Sequence, residues 1–337
     1  MIPHNRPTLG AAERTAASRV ISRSWVAQGV EVEAFENEIC SFLGLPNGHA
    51  VAVSSGSAAL YLALWVLKGL GKRIGIPAYS CSALRNAVGL VGGDSVYLDC
   101  APASPNLDLV SAERSELDIL VAPSMFGLPI EVDRDRRYML IEDIAQAFGA
   151  LAEGAPIGLR GDVGICSFYA TKIITSGGQG GAVVSRDRSL IDAVRDYRQF
   201  DRRYDQRLRF NFQMTDLQAG IGRAQLRQLP NFIEKRANIF DIYRSFGISL
   251  LDREKSTDRP VRYRAVLHTS NSKKLISMLS EKSIHAIVPI ETEELLTDPT
   301  KVPVAADLTR STVSLPIYPS ITIEEAKRIA QIAEENL

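Results

Sequence analysis

Val51-Ala-Val-Ser-Ser-Gly-Ser-Ala-Ala-Leu60 runs from a β-branched stretch through a turn of small residues into an alanine- and leucine-rich helix. A strand that passes so tightly into a helix opens a βαβ unit, the building block of a mainly parallel sheet. Such a turn leaves backbone N–H groups free at the start of the helix. The helix dipole and the hydroxyls of Ser55 and Ser57, on either side of Gly56, make this terminus a candidate phosphate site. Read alone, the same segment is more simply an ordinary serine N-cap.

The rhythm continues in both directions. Short apolar runs at 50–53, 73–76, 95–98, 119–122, 139–142, 163–167 and 182–185 alternate with helical patterns, which predicts an α/β fold with a mainly parallel seven-stranded sheet in a large domain. After Thr215 a helical pattern through Leu217, Ile221, Ala224, Gln225 and Leu229 reaches Pro230, then resumes through Phe232, Ile239 and Tyr243. Strand patterns at 262–268, 284–290 and 312–317, with helices at 272–282 and 323–336, predict a smaller C-terminal α/β domain. The expected division is 1–230 and 231–337, and 337 residues are ample for two cores.

Composition narrows the function by exclusion. Lys plus Arg and Asp plus Glu both number 39, so no overall basic field draws the chain to nucleic acid or an anionic membrane. Cys40, Cys81, Cys100 and Cys166 lack CxxC spacing and only four histidines occur, so neither a metal centre nor a disulfide framework is signalled. The longest apolar stretch, 58–67, is too short to span a bilayer, and no signal-peptide pattern is seen. A soluble cytoplasmic protein with reduced thiols is the expectation.

Two further segments carry chemistry. Tyr138-Met-Leu-Ile-Glu-Asp-Ile-Ala-Gln-Ala147 sets Glu142 and Asp143 at the C-terminal end of an apolar strand, the sheet edge where open α/β folds bind ligands. Asp162-Val-Gly-Ile-Cys-Ser-Phe-Tyr-Ala-Thr-Lys172 ends another strand on a lysine, with Ser167 and Thr171 before it and a glycine-rich stretch after it. A phosphate turn, a strand-end aspartate with Gln146 three residues on, and then a lysine are together the parts of a pyridoxal 5'-phosphate site. The lysine forms a Schiff base, the aspartate keeps the pyridine nitrogen protonated, and the turn holds the phosphate.

VSSGSAALYLAL, IEDIAQAFGA, GDVGICSFYATKIITSGGQGGAVV and NFQMTDLQAGIGRAQL resemble successive hallmarks of the DegT/StrS-type sugar aminotransferases, pyridoxal-phosphate enzymes of the aspartate-aminotransferase-like fold type I. The opening segment 7–44 and the closing SLPIYPSITIEEAKRIAQI extend the likeness to both ends. The resemblance implies that Lys172 is the Schiff-base lysine and proton shuttle, that Asp143 pairs with the pyridine nitrogen, and that Gln146 contacts the ring hydroxyl. It implies that Ser55, Gly56, Ser57 and Ser167 bind the phosphate, and that Asn211 reaches the phosphate of a neighbouring subunit in a homodimer with shared sites.

The expected reaction moves an amino group, by resemblance from glutamate, to a nucleotide-linked keto sugar. The rivals are a sugar dehydratase or lyase, whose relatives replace the lysine by histidine, and a regulatory member of the fold. Three positions depart from the pattern. Cys81, within Pro77-Ala-Tyr-Ser-Cys-Ser-Ala83, stands where an aromatic residue commonly stacks on the cofactor; Gln213 replaces an arginine; and the tyrosine-proline-histidine segment is missing, with His285 its nearest counterpart.

Overall fold

The computed structural model describes residues 1–133, 135–252 and 257–337. All seven strands expected from the sequence are present: β1 Ala50–Val53, β2 Arg73–Pro77, β3 Asp94–Leu98, β4 Ile119–Pro123, β5 Met139–Asp143, β6 Val163–Ser167 and β7 Gly181–Val184. They form one sheet in the order β1-β7-β6-β5-β4-β2-β3, parallel throughout except for β7, which is antiparallel to both neighbours.

Strands β1, β4, β6 and β7 are buried along their whole length, which explains their unbroken apolar sequences: each face meets a helical layer. Successive residues of β1 show the division. Ala50 and Ala52 pack with Phe35 and Ile39 of α2 (Val30–Leu43) and with Leu226 and Leu229 of α7 (Asp216–Ser245). Val51 and Val53 face the other way, onto α3 (Gly56–Val66), α4 (Ala83–Val91) and α6 (Arg188–Arg198). Small residues on one side and branched ones on the other thus reflect two different packing distances.

Helix α7 is continuous through Pro230, where the sequence suggests an interruption. Its start is fixed by a reciprocal cap: Gln218 N–H donates to Thr215 Oγ1 at 3.2 Å and Thr215 N–H to Gln218 Oε1 at 3.0 Å. Pro230 lies on an exposed face, so its missing N–H costs one helical hydrogen bond without opening a core. Packing on both sides holds the helix together. Leu229 and Phe232 belong to the core under the sheet, whereas Ile239, Phe240 and Tyr243 belong to the C-terminal core.

The C-terminal region contains an antiparallel pair, β8 Ala265–His268 and β9 Thr312–Leu315, covered by α8 (Ser272–Glu281) and α10 (Ile323–Glu334). The strand expected at 284–290 is not a full strand. Only Ile284, bridged to Ile2, and Ile287, bridged to Ser314, join a ladder, and Pro289 has no N–H with which to extend it. Ile2 therefore packs in the C-terminal core with Ile239 and Leu267, and residues 2–10 run from there toward the sheet. The C-terminal region also locks onto the sheet edge: Asp99 accepts the N–H groups of Val304 and Ala305, and Leu296 N–H donates to Ala78 O at 3.1 Å.

Replacing Pro230 by alanine restores an N–H at an exposed helical position. The Pro230→Ala protein is expected to be more stable by about 2 kcal/mol, after allowing for the greater freedom of its unfolded chain. Urea unfolding of the two proteins checks this; equal or lower stability would show that α7 needs proline there.

Candidate active site

Because β1 and β6 are both antiparallel to β7, they run parallel to one another, and the C-terminal ends of β1, β2, β4, β5 and β6 share one edge. The start of β7 enters that edge between β1 and β6, with Gly181 opposite both Val53 and Ser167. The approach is too close for side chains. A Cβ on Gly56 would stand 2.8 Å from both Cβ and Oγ of Ser167, and one on Gly181 would collide with the carbonyl of Ser55. Ser55 caps α3 by accepting the Ala58 N–H at 3.1 Å, which leaves its hydroxyl hydrogen free; Ser57 is exposed in the first turn. Ser55, Gly56, Ser57 and Ser167 are therefore gathered around one helix N-terminus, as the sequence predicts.

The two acids at the end of β5 part company, as successive strand residues must. Glu142 turns into an ion pair with Arg160 at 2.5 Å and is structural. Asp143 faces the site. It is buried; its Oδ1 accepts the Ala145 N–H at 2.8 Å, and Oδ2 has no partner among the described residues. Burial pushes its carboxyl above the usual range, against the opposing pull of the Ala145 N–H and the nearby charge of Lys172.

Lys172 is half-buried in a loop that doubles back on the end of β6. Phe168 N–H donates to Gly180 O, Ala170 N–H to Gly178 O, and Lys172 N–H to Tyr169 O at 3.0 Å. Asn5 reaches from the N-terminal segment to Thr171 O at 2.9 Å, and Gln225 of α7 accepts from Thr175 N–H at 3.4 Å. The lysine Nζ lies 5.5 Å from the centroid of the Tyr263 ring. Gln146 is held by Phe126 N–H, which donates to its Oε1 at 2.8 Å; Phe126 itself adopts a left-handed conformation (φ 58°) uncommon for a large side chain.

Cys81 is exposed in the segment just beyond β2. Asn211 is exposed too, and its Oδ1 accepts the Gln213 N–H at 3.1 Å, a local turn bond. Its segment runs beside the phosphate turn, since Ser54 N–H donates to Phe212 O at 2.9 Å. His285 is exposed, with its N–H donating to Ile2 O.

Sequence reasoning missed Tyr263, Arg264 and the N-terminal residues that meet them. Burial alone would raise the Tyr263 hydroxyl, but Lys172, Arg264, a hydrogen bond with Thr171, and Arg236 together bring it below its usual value. The alternation Arg262-Tyr263-Arg264 before an apolar strand was the available signal.

The residues present fit pyridoxal phosphate. A glycine-dependent cradle of hydroxyls and N–H groups suits the phosphate, and a buried carboxylate with an unused oxygen suits a protonated ring nitrogen. The half-buried Lys172 amine lies close enough to feel that carboxylate.

Comparisons with known proteins agree. The model of the DegT/DnrJ/EryC1/StrS aminotransferase family matches residues 7–334. The chain is 27% identical to GDP-perosamine synthase of Escherichia coli O157:H7, over 99% of this chain and 98% of that protein. It is 29% identical to dTDP-3-amino-3,4,6-trideoxy-alpha-D-glucose transaminase of Streptomyces venezuelae, over 97% and 92%. Among solved structures, DesV of S. venezuelae superposes with a TM-score of 0.89 at 27% identity, covering 96% of this chain and 94% of that one. The fold type I architecture is thereby established, and the chain belongs to the DegT/DnrJ/EryC1/StrS aminotransferase family, whose cofactor is pyridoxal phosphate.

Proposed function

We propose that this aminotransferase takes an amino group from an amino acid, glutamate, and delivers it to the keto carbon of a nucleotide-linked sugar in amino-sugar biosynthesis. The observation that carries the reading is the convergence of Lys172, Asp143 and the Ser55–Ser167 cradle on one sheet edge. Several relatives are named for GDP-, dTDP- or UDP-linked sugars, which supports the substrate class, although another is named a sensory transduction protein.

When bound, pyridoxal phosphate supplies an electron sink that stabilises negative charge at the substrate carbon. The chain supplies the rest. Lys172 Nζ removes the proton from the donor's α-carbon and, in the second half-reaction, returns one to the sugar carbon that receives the amine. Asp143, held by Ala145 N–H, would pair with the ring nitrogen and keep it protonated, and Gln146, held by Phe126 N–H, would contact the ring hydroxyl. Ser55, Gly56, Ser57 and Ser167 would hold the phosphate, and Cys81 would stand at the ring with a small thiol in place of an aromatic side chain. Asn211 completes the phosphate site of a second subunit in a cytoplasmic homodimer. Its exposure in the single chain supports that role, as do the exposed Phe210 and Leu208 beside it. No helix among the described residues is long and apolar enough to cross a membrane.

Lys172→Ala is expected to lose both the visible absorbance of the cofactor-loaded protein and all formation of 2-oxoglutarate from glutamate. Retained transamination in that variant would sink the reading, and 2-oxoglutarate formation by the unchanged protein separates an aminotransferase from a dehydratase. Asp143 gives a second, opposite-signed expectation. A carboxyl whose folded pKa lies above its unfolded value stabilises the fold only at low pH, and that contribution is lost as pH rises through the folded value. Cofactor-free Asp143→Asn is therefore expected to melt roughly 2 °C or more above the unchanged protein near pH 7, with the difference shrinking toward pH 4, while turnover falls. A melting point lowered at pH 7 would show that Asp143 is structural.

A further inference from the structure

We propose that Arg264 recognises a carboxylate of the amino donor and so holds its α-carbon within reach of Lys172. The proposal rests on the aminotransferase reading and deepens it by assigning a residue to donor recognition.

Three observations lead to it. First, position: Arg264 stands immediately before β8 and its N–H donates to Phe126 O at 3.4 Å, which ties it to the loop after β4 at the same sheet edge as Asp143. Its guanidinium carbon lies 5.5 Å from the centroid of the Tyr263 ring, and Lys172 Nζ lies 5.5 Å from the same centroid. The two cations are thus no further apart than twice that distance, so a carboxylate on Arg264 lies within a few bond lengths of the reach of Lys172.

Second, charge. Apart from Arg236, the other half-buried and buried arginines among the described residues are matched by acids, as Arg160 is by Glu142, Arg198 by Glu36, and Arg223 by Glu31 and Glu38. Arg264 has no acidic partner among the described residues; its side chain's hydrogen bond is to His4 Nε2 at 3.3 Å. His4 brings no negative charge, and burial, then Arg264, His285 and Arg236, hold its pKa down to about 3, so it stays a neutral acceptor. The depressed Tyr263 hydroxyl reports the same uncompensated positive potential.

Third, access. Arg236 also lacks a carboxylate, but it is sealed in the interior with its Nη1 donating to the carbonyls of Arg262, Tyr263 and Ile317. Arg264 is only half-buried, and its fork has donors to spare. A planar guanidinium with free donors, short of an anion and sharing the Tyr263 ring with a reactive amine, matches a carboxylate in both geometry and charge. His4, hydrogen-bonded to Ser314 Oγ at 2.9 Å, holds the fork in place from the N-terminal segment.

The test uses the cofactor-loaded protein and Arg264→Gln. Two constants are measured: the L-glutamate concentration giving half-maximal loss of visible absorbance in a single half-reaction, and the inhibition constant of dTDP as a phosphate probe. The L-glutamate constant is expected to rise about tenfold or more in Arg264→Gln, with the starting absorbance unchanged and most of the effect recovered by Arg264→Lys. The dTDP constant is expected to hold. On the unchanged protein, maleate, a dicarboxylate without an amine, is expected to compete with L-glutamate, a readout that depends on no variant. An unaltered L-glutamate constant, an effect on dTDP alone, or absence of maleate competition would each overturn the assignment, the second by giving Arg264 to the sugar nucleotide's phosphate. If the unchanged protein responded to no amino acid, the aminotransferase reading itself would fall.

Discussion

Everything at this site depends on the close passage of β7 between β1 and β6. An antiparallel strand inserted among parallel ones brings its first residue, Gly181, against the very turn where β1 becomes α3. Backbone meets backbone there, so Gly181 and Gly56 exclude side chains from a space that Ser55 and Ser167 line. The same insertion places the Lys172 loop, which links β6 to β7, directly beside the phosphate turn. One topological feature therefore sets the distance between the anion cradle and the reactive amine, and the cost is a pair of positions where nothing larger than glycine fits without displacement.

Electrostatics then distributes the work. Asp143 is pushed toward its neutral form by burial, against the pull of Lys172, and the buried Tyr263 hydroxyl feels Lys172, Arg264 and Arg236. An unloaded site of this kind carries stored electrostatic cost, which anionic cofactor and substrate groups relieve on binding. Burial of the Asp143 carboxyl and the lack of an acidic partner for Arg264 among the described residues are two instances of that cost.

The frame that holds these charges is built from pieces remote in sequence. Helix α7 spans both cores and survives an internal proline because each half is packed separately. The N-terminal residues Ile2, His4 and Asn5 cross from the C-terminal core to the lysine loop, so the first turn of chain helps position the last functional side chains.

The seven strands were legible because each is buried on both faces and so carries an unbroken apolar run, and Asp143, Lys172 and Ser55 were legible because each sits at a strand end or helix start with a local signature. The segment 284–290 misled for a local reason as well: its apolar residues fit a strand, yet they bridge two different partners, Ile2 and Ser314. Sequence by itself determined the sheet, the order of the motifs and the family, since those follow from periodicity and short-range chemistry. Only the tertiary structure decided that α7 runs unbroken, that Glu142 pairs with Arg160 while Asp143 lies near the lysine, and that Lys172 and Arg264 meet the same Tyr263 ring. Those outcomes depend on contacts between residues far apart in the chain, and no local pattern encodes which distant charge a side chain will meet.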